Sequence, residues 1–133
     1  ALTSTTKEET IKMLLTIVMD ENIVRAQDIA SWFVHLLRNR YAQKTTWKWL
    51  KDNWAWLENK FDGDKSYDDF PRYAGAILNS EELLKEYSQF FAPMKQMPSL
   101  ARAIEMGERD IKARVKLIKR DKQAVLEELN KIV

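Results

Sequence analysis

Cysteine is absent from the chain, and its 133 residues include only one histidine, three glycines and three prolines. Without cysteine there is no disulfide, no thiolate metal site and no thiol nucleophile. A single histidine cannot furnish a zinc site of two histidines and a carboxylate. No glycine-rich phosphate loop and no G-x-S-x-G elbow occurs, so those signatures of nucleotide binding and serine hydrolysis are missing. The scarcity of glycine and proline leaves little from which to build the turns of an all-β fold, and it points to helices. The apolar runs are too short to span a bilayer or to read as a signal peptide. A dominant charge is lacking as well. The 22 basic and 20 acidic residues give a net charge of +2, no electrostatic footprint for nucleic acid or an anionic membrane. The composition offers no recognisable catalysis, cofactor site or metal site to this chain alone.

The chain is 45% hydrophobic and 32% charged, ordinary for a globular protein, and its length suits one domain spanning 1–133. Its first residue is Ala1 with no cleavage-site pattern, so a piece of a longer polypeptide is expected. Seven helices can be read. Thr6 and Glu9 make a capping-box pattern ahead of "IKMLLTIVM", where Ile11, Leu14, Leu15 and Val18 share a face. "NIVRAQDIASWFVHLLRN" follows with Asn22 as N-cap. A tryptophan-rich helix opens at Thr45 or Thr46 and stops before "DGD", where Gly63 supplies the turn. "SYDDFPRYAGAIL" places Asp68 or Asp69 near a helix start, with Pro71 in the first turn. Ser80 caps "EELLKEYSQFF", which ends before Pro93. Pro98 and Ser99 start "LARAIEMGERDIKARVKLIKR", and Asp121 caps the final "KQAVLEELNKI". Short loops make neighbours antiparallel. The expected fold is all-α, a right-handed HEAT- or armadillo-like superhelix of stacked hairpins, with a closed bundle as the alternative.

The stretch "TTWKWLKDNWAWLENKF" holds four tryptophans in ten residues. At about 100° per residue, Trp47, Leu50, Trp54, Leu57 and Phe61 fall on one stripe. Trp49 and Trp56 fall on a second stripe, and Lys48, Lys51, Asp52, Ala55 and Asn59 hold the gap. So wide an apolar arc needs neighbours on two sides. Base stacking would want exposed rings interleaved with basic residues, whereas the first stripe carries no charge. The indoles therefore read as a packed spine, and Asn53, inside the arc, needs hydrogen-bond partners if buried.

On the preceding helix, Ala26, Ile29, Ala30, Trp32, Phe33, Val34, Leu36 and Leu37 cover most of the circumference. Gln27, Ser31, His35 and Arg38, with Asp28 beside them, leave a narrow polar seam. Such a seam lines either a water-filled cleft or the solvent face of an edge helix. Arg38 is its strongest binding group, because a guanidinium can clamp a carboxylate through two bonds. Arg25 and Asp28 are spaced to pair locally. So are Glu105 with Arg109, Glu108 with Lys112 and Asp110 with Arg114, which would support the sixth helix without carrying chemistry.

These residues also carry a resemblance. "VRAQDIASWF", "RNRYAQKTTWKWLKDNWAWLENKF" and "FFAPMKQMPSLARAIEMGERDIKARV" resemble the carboxy-terminal helical domain of the aminopeptidase N family of zinc metallopeptidases, from about Ile23 to about Glu128. The shared features are an R-x-Q-D start at Arg25 and Asp28, a W-x-W-L-K-x-N-W run from Trp47 through Trp49 and Asn53 to Trp54, and a late P-x-L-x-R helix. "DGDKSYDDF" is similar to Gram-positive bacterial versions, which implies a bacterial cytoplasmic source. The resemblance implies a helical domain closing a cavity over a separate catalytic domain of the same polypeptide. That domain would hold zinc through H-E-x-x-H and release amino-terminal residues from peptides. It also implies that Arg38, which matches an arginine of animal relatives that helps hold the peptide's carboxylate end, contacts substrate. Two other readings are a free-standing α-solenoid that binds a protein, and an RNA-binding helical repeat, which the neutral charge disfavours. Apolar surface left by missing neighbours would allow self-association.

Overall fold

Seven α-helices and one 3-10 turn make up the regular structure of residues 6–61 and 68–132, the part that the computed structural model describes. They are α1 Glu8–Val18, α2 Ala26–Arg38, α3 Gln43–Asp52, α4 Trp54–Lys60, α5 Asp69–Ile77, α6 Glu81–Phe91, the 3-10 turn Ala92–Gln96, and α7 Pro98–Ile132. The protein is all-α. By its contacts the chain divides into two compact units, one ending at Ala74 and the other beginning at Gly75, so that the division falls within α5.

In the first unit, α1 buries Ile11, Leu14, Leu15 and Val18, the face read from the sequence. It starts one residue later than the capping box implied. Lys7 takes the N-cap position without a side-chain cap, and the acidic Glu8 and Glu9 of the first turn complement the helix dipole instead. Asn22 does not cap α2 either. Residues 20–24 form a turn in which Asp20 Oδ1 accepts from the Asn22 amide at 2.9 Å, and α2 begins after Arg25. α2 then buries Ile29, Phe33, Leu36 and Leu37.

The tryptophan segment is two helices rather than one. Asn53 (φ −115°, ψ 18°) ends α3 and precedes α4. Its Nδ2 donates to the Trp49 carbonyl at 2.8 Å, and its own amide reaches the same oxygen at 3.0 Å. A short polar side chain competing for the carbonyl of the preceding turn is a known helix breaker. The stripes survive the break. Trp47, Leu50, Trp54, Leu57 and Phe61 are all buried, and Trp49 meets the half-buried Trp56 with ring centroids 6.3 Å apart. Thr46, read as a possible cap, lies buried inside α3. Phe70 of α5 closes this core against Phe33 at 5.4 Å and Phe61 at 5.8 Å. The Gly63 turn lies outside the described residues.

In the second unit, the Ser80 hydroxyl accepts from the Leu83 amide at 3.1 Å and caps α6 as expected. Ser80→Ala should therefore lower the unfolding free energy by about 0.5–2 kcal/mol, measurable as a lower urea midpoint. α6 packs Leu83, Tyr87 and Phe91 against α7, whose buried side runs from Leu100 through Ile104 and Gly107 to Val115. Desolvation raises the Tyr87 hydroxyl far above its ordinary pKa, and the nearby charges of Glu108 and Asp110 push the same way. The hydroxyl is thus a neutral core group.

Two sequence readings of α7 fail. Asp121 caps nothing, because α7 is one continuous helix of 35 residues. No Pro or Gly follows Gly107 to stop it, and Asp121 is tolerated on an exposed face. The expected ladder of i to i+4 pairs is also replaced by longer-range contacts. Glu108 pairs with Lys95 at 2.6 Å, Lys119 pairs with Glu81, and Arg114 donates to the carbonyl oxygens of Gly75 (3.1 Å) and Leu78. From Lys116 to Ile132 the side chains are exposed apart from the half-buried Ile118.

Candidate functional site

Gln27, Ser31, His35 and Arg38 all emerge on the exposed side of α2, opposite the buried Ile29, Phe33, Leu36 and Leu37. Their spacing of 4, 4 and 3 residues keeps them on one line. Asp28 in the first turn, and His35 and Arg38 in the last, also complement the helix dipole. Arg25 and Asp28 are exposed and form no ion pair among the described residues. The seam is therefore a ready polar surface, presented by a helix held rigid from behind.

Its carboxy-terminal end is a built corner. Arg38 is the last residue of α2, and Asn39 (φ −71°, ψ 114°) turns the chain out of the helix. The Asn39 amide donates to the carbonyls of His35 and Leu36, the Tyr41 amide donates to Asn39 Oδ1 at 3.0 Å, and Gln43 Nε2 donates to the Leu37 carbonyl at 3.3 Å. The bonds from Asn39 and Gln43 occupy the His35, Leu36 and Leu37 carbonyls, which a helix end otherwise leaves open. Arg40 lies over the Tyr41 ring at 4.7 Å and donates to its hydroxyl at 2.6 Å.

Two hollows in the first unit escaped the sequence reading. Gln27 borders a hollow of about 470 Å³, with Ala30, Lys60, Phe61, Asp69 and Tyr73. The structure thus separates Gln27, beside a cavity, from Ser31, His35 and Arg38, which do not line it. A second hollow of about 610 Å³ runs between α1 and α3, with Lys12, Thr16, Lys48, Trp49 and Asp52 on its walls. The Trp49 Nε1 is buried without a hydrogen-bond partner. Trp47, Trp49 and Trp54 are packed, and Asn53 forms the α3–α4 break, so these four serve the scaffold.

No group of three His, Cys, Asp or Glu among the described residues is placed to hold a metal. His35 stands exposed on α2, and nothing around it supplies the donor set that zinc requires.

Residues 1–113 match the family model of the ERAP1-like C-terminal domain. The aminopeptidase N of Lactococcus lactis subsp. cremoris (strain MG1363) is 46% identical over 119 residues, covering 89% of this chain and 14% of its own length. The aminopeptidase N of Lactobacillus helveticus is 32% identical over 133 residues, covering 100% of this chain and 16% of its own length. A glutamyl aminopeptidase of Rattus norvegicus is 26% identical over 119 residues, covering 85% of this chain and 12% of its own length. The chain thus spans about a seventh of the length of the curated relatives it matches.

Proposed function

Because the chain belongs to the family of ERAP1-like C-terminal domains, we propose that it is the non-catalytic carboxy-terminal helical part of a zinc-dependent aminopeptidase that releases amino-terminal residues from peptides. What supports this reading is the family match over residues 1–113, together with relatives named as aminopeptidases. The zinc belongs to a catalytic domain elsewhere in the same polypeptide, a reading that one histidine and no cysteine in this chain support. On this reading the protein works in the bacterial cytoplasm, and what supports the bacterial source is the likeness to Lactococcus and Lactobacillus relatives.

In the longer protein these helices form part of a HEAT-like superhelix that walls the substrate chamber. The exposed seam of Gln27, Ser31, His35 and Arg38 faces that chamber, and Arg38 clamps the carboxylate end of the peptide. Replacing Arg38 by Ala in the longer enzyme is then expected to lower kcat/KM for peptides of eight or more residues about tenfold, a loss of roughly 1.4 kcal/mol, while small chromogenic substrates are unaffected. Equal losses on long and short substrates would sink the assignment. The broader reading requires H-E-x-x-H in the polypeptide preceding Ala1, and an upstream sequence without that motif would overturn it.

A further inference from the structure

From Ile29 to Lys51 the chain carries five basic residues, Arg38, Arg40, Lys44, Lys48 and Lys51, and not one acidic residue. The other 17 of the 22 basic residues share the rest of the chain with all 20 acidic ones. Positive charge is therefore concentrated around the α2–α3 corner of a protein that is otherwise slightly acidic. Two of the five are engaged: Lys48 binds Asp52 at 2.5 Å, and Lys51 lies 5.5 Å from the centre of the Trp47 ring. Arg38, Arg40 and Lys44 are exposed and have no carboxylate partner among the described residues.

The corner holding these three cations is stiff. The bonds from Asn39, Tyr41 and Gln43 fix the turn, and the Tyr41 ring and hydroxyl hold Arg40. Arg40 uses one nitrogen on Tyr41, and a guanidinium has five N–H donors. The remaining donors can take a carboxylate in a two-bond fork. A restrained arginine forfeits less side-chain freedom on binding than a free one, so part of the ordering cost is already met.

We propose that this corner binds the aspartate and glutamate side chains of acidic peptides. The inference rests on the peptidase reading and adds a ligand class to it: carboxylates within the peptide, in addition to the one at its end. A phosphate backbone fits less well, since the chain has a net charge of only +2 and the Tyr41 hydroxyl is already bound to Arg40, whereas nucleic-acid surfaces combine long basic grooves with open stacking rings.

The test uses the whole 133-residue chain and the fluorescence anisotropy of labelled, carboxy-terminally amidated hexaglutamate, with amidated hexaglutamine as the neutral match. At low ionic strength the glutamate peptide should bind about tenfold more tightly than the glutamine peptide, and this preference should fade at high salt. Arg40→Gln and Lys44→Gln should each weaken hexaglutamate binding about two- to fivefold. Lys112→Gln and Lys116→Gln, on exposed positions of α7, should leave it unchanged, and circular dichroism checks that each variant is folded. Equal affinity for the two peptides, or equal losses from the α7 variants, would overturn the inference. So would binding of hexaglutamate as the free acid but not as the amide, a result that would leave the Arg38 clamp intact. Failure of the Arg38→Ala prediction on long peptides strikes the peptidase reading and is scored independently of these titrations.

Discussion

Trp47→Ala is expected to lower the unfolding free energy by about 3–5 kcal/mol, the largest single effect within the first unit. Trp47 is 2% exposed and sits on α3, which packs against both α1 and α2. Truncation removes a fully buried indole from a helix with neighbours on two sides, and the space it leaves refills only in part. For a domain held by about 5–15 kcal/mol, such a loss leaves a substantial unfolded population at ambient temperature. Trp56→Ala provides the contrast. Trp56 is half-buried and leans on Trp49, so its removal should cost clearly less. Urea titration followed by circular dichroism gives both values. A loss below about 1 kcal/mol for Trp47→Ala would mean that α3 is not enclosed.

The second unit has its own critical position. A Cβ on Gly75 would lie 2.3 Å from Gly107 Cα and 3.2 Å from the Gly107 carbonyl oxygen. Both obstacles are backbone, and no rotamer change relieves them. Gly75→Val should therefore destabilise the protein by about 3 kcal/mol, near the upper range for overpacking. Gly75→Ala is the sharper discriminator, because its sign is in question. Helix propensity alone favours alanine by about 1 kcal/mol, so an open crossing would make the variant more stable. With the clash it should be less stable than the parent chain, by about 1–2 kcal/mol. A raised urea midpoint for Gly75→Ala would show that the two backbones do not approach this closely.

The elements that were legible in the sequence share a property: they depend on local periodicity. The buried faces of α1 and α2, the two indole stripes and the Ser80 cap follow from residues within one or two turns of each other. The exposed line of Gln27, Ser31, His35 and Arg38 was equally visible, since it is what remains once the apolar faces of α2 are assigned. What escaped depends on competition or on distance. The break falls at Asn53, whose side-chain amide shares the Trp49 carbonyl with its own backbone amide, and the hydrophobic pattern continues across it undisturbed. Asp121 is a good cap former with no reason to end a helix that nothing else stops. Arg114 looked like the partner of Asp110, but it reaches carbonyls 36 and 39 residues away. The hollow between α1 and α3 has the same origin, with walls drawn from residues 8–19 and 45–53. No sequence window spans both walls.

The uninterrupted run of α7 has a mechanical consequence. From Gly107 to Ile132 the helix extends about 37 Å at 1.5 Å per residue. It is pinned near its root by the glycine crossing and by the Arg114 bonds to Gly75 and Leu78, with only an exposed ion pair, Lys119 to Glu81, farther along. A tilt of roughly 10° at that root would sweep the Ile132 tip by about 6 Å over such a length. The glycine pair would thus act as a fulcrum, and a small shift of Gly107 against Gly75 would be magnified into displacement of whatever rests on the far end of the lever.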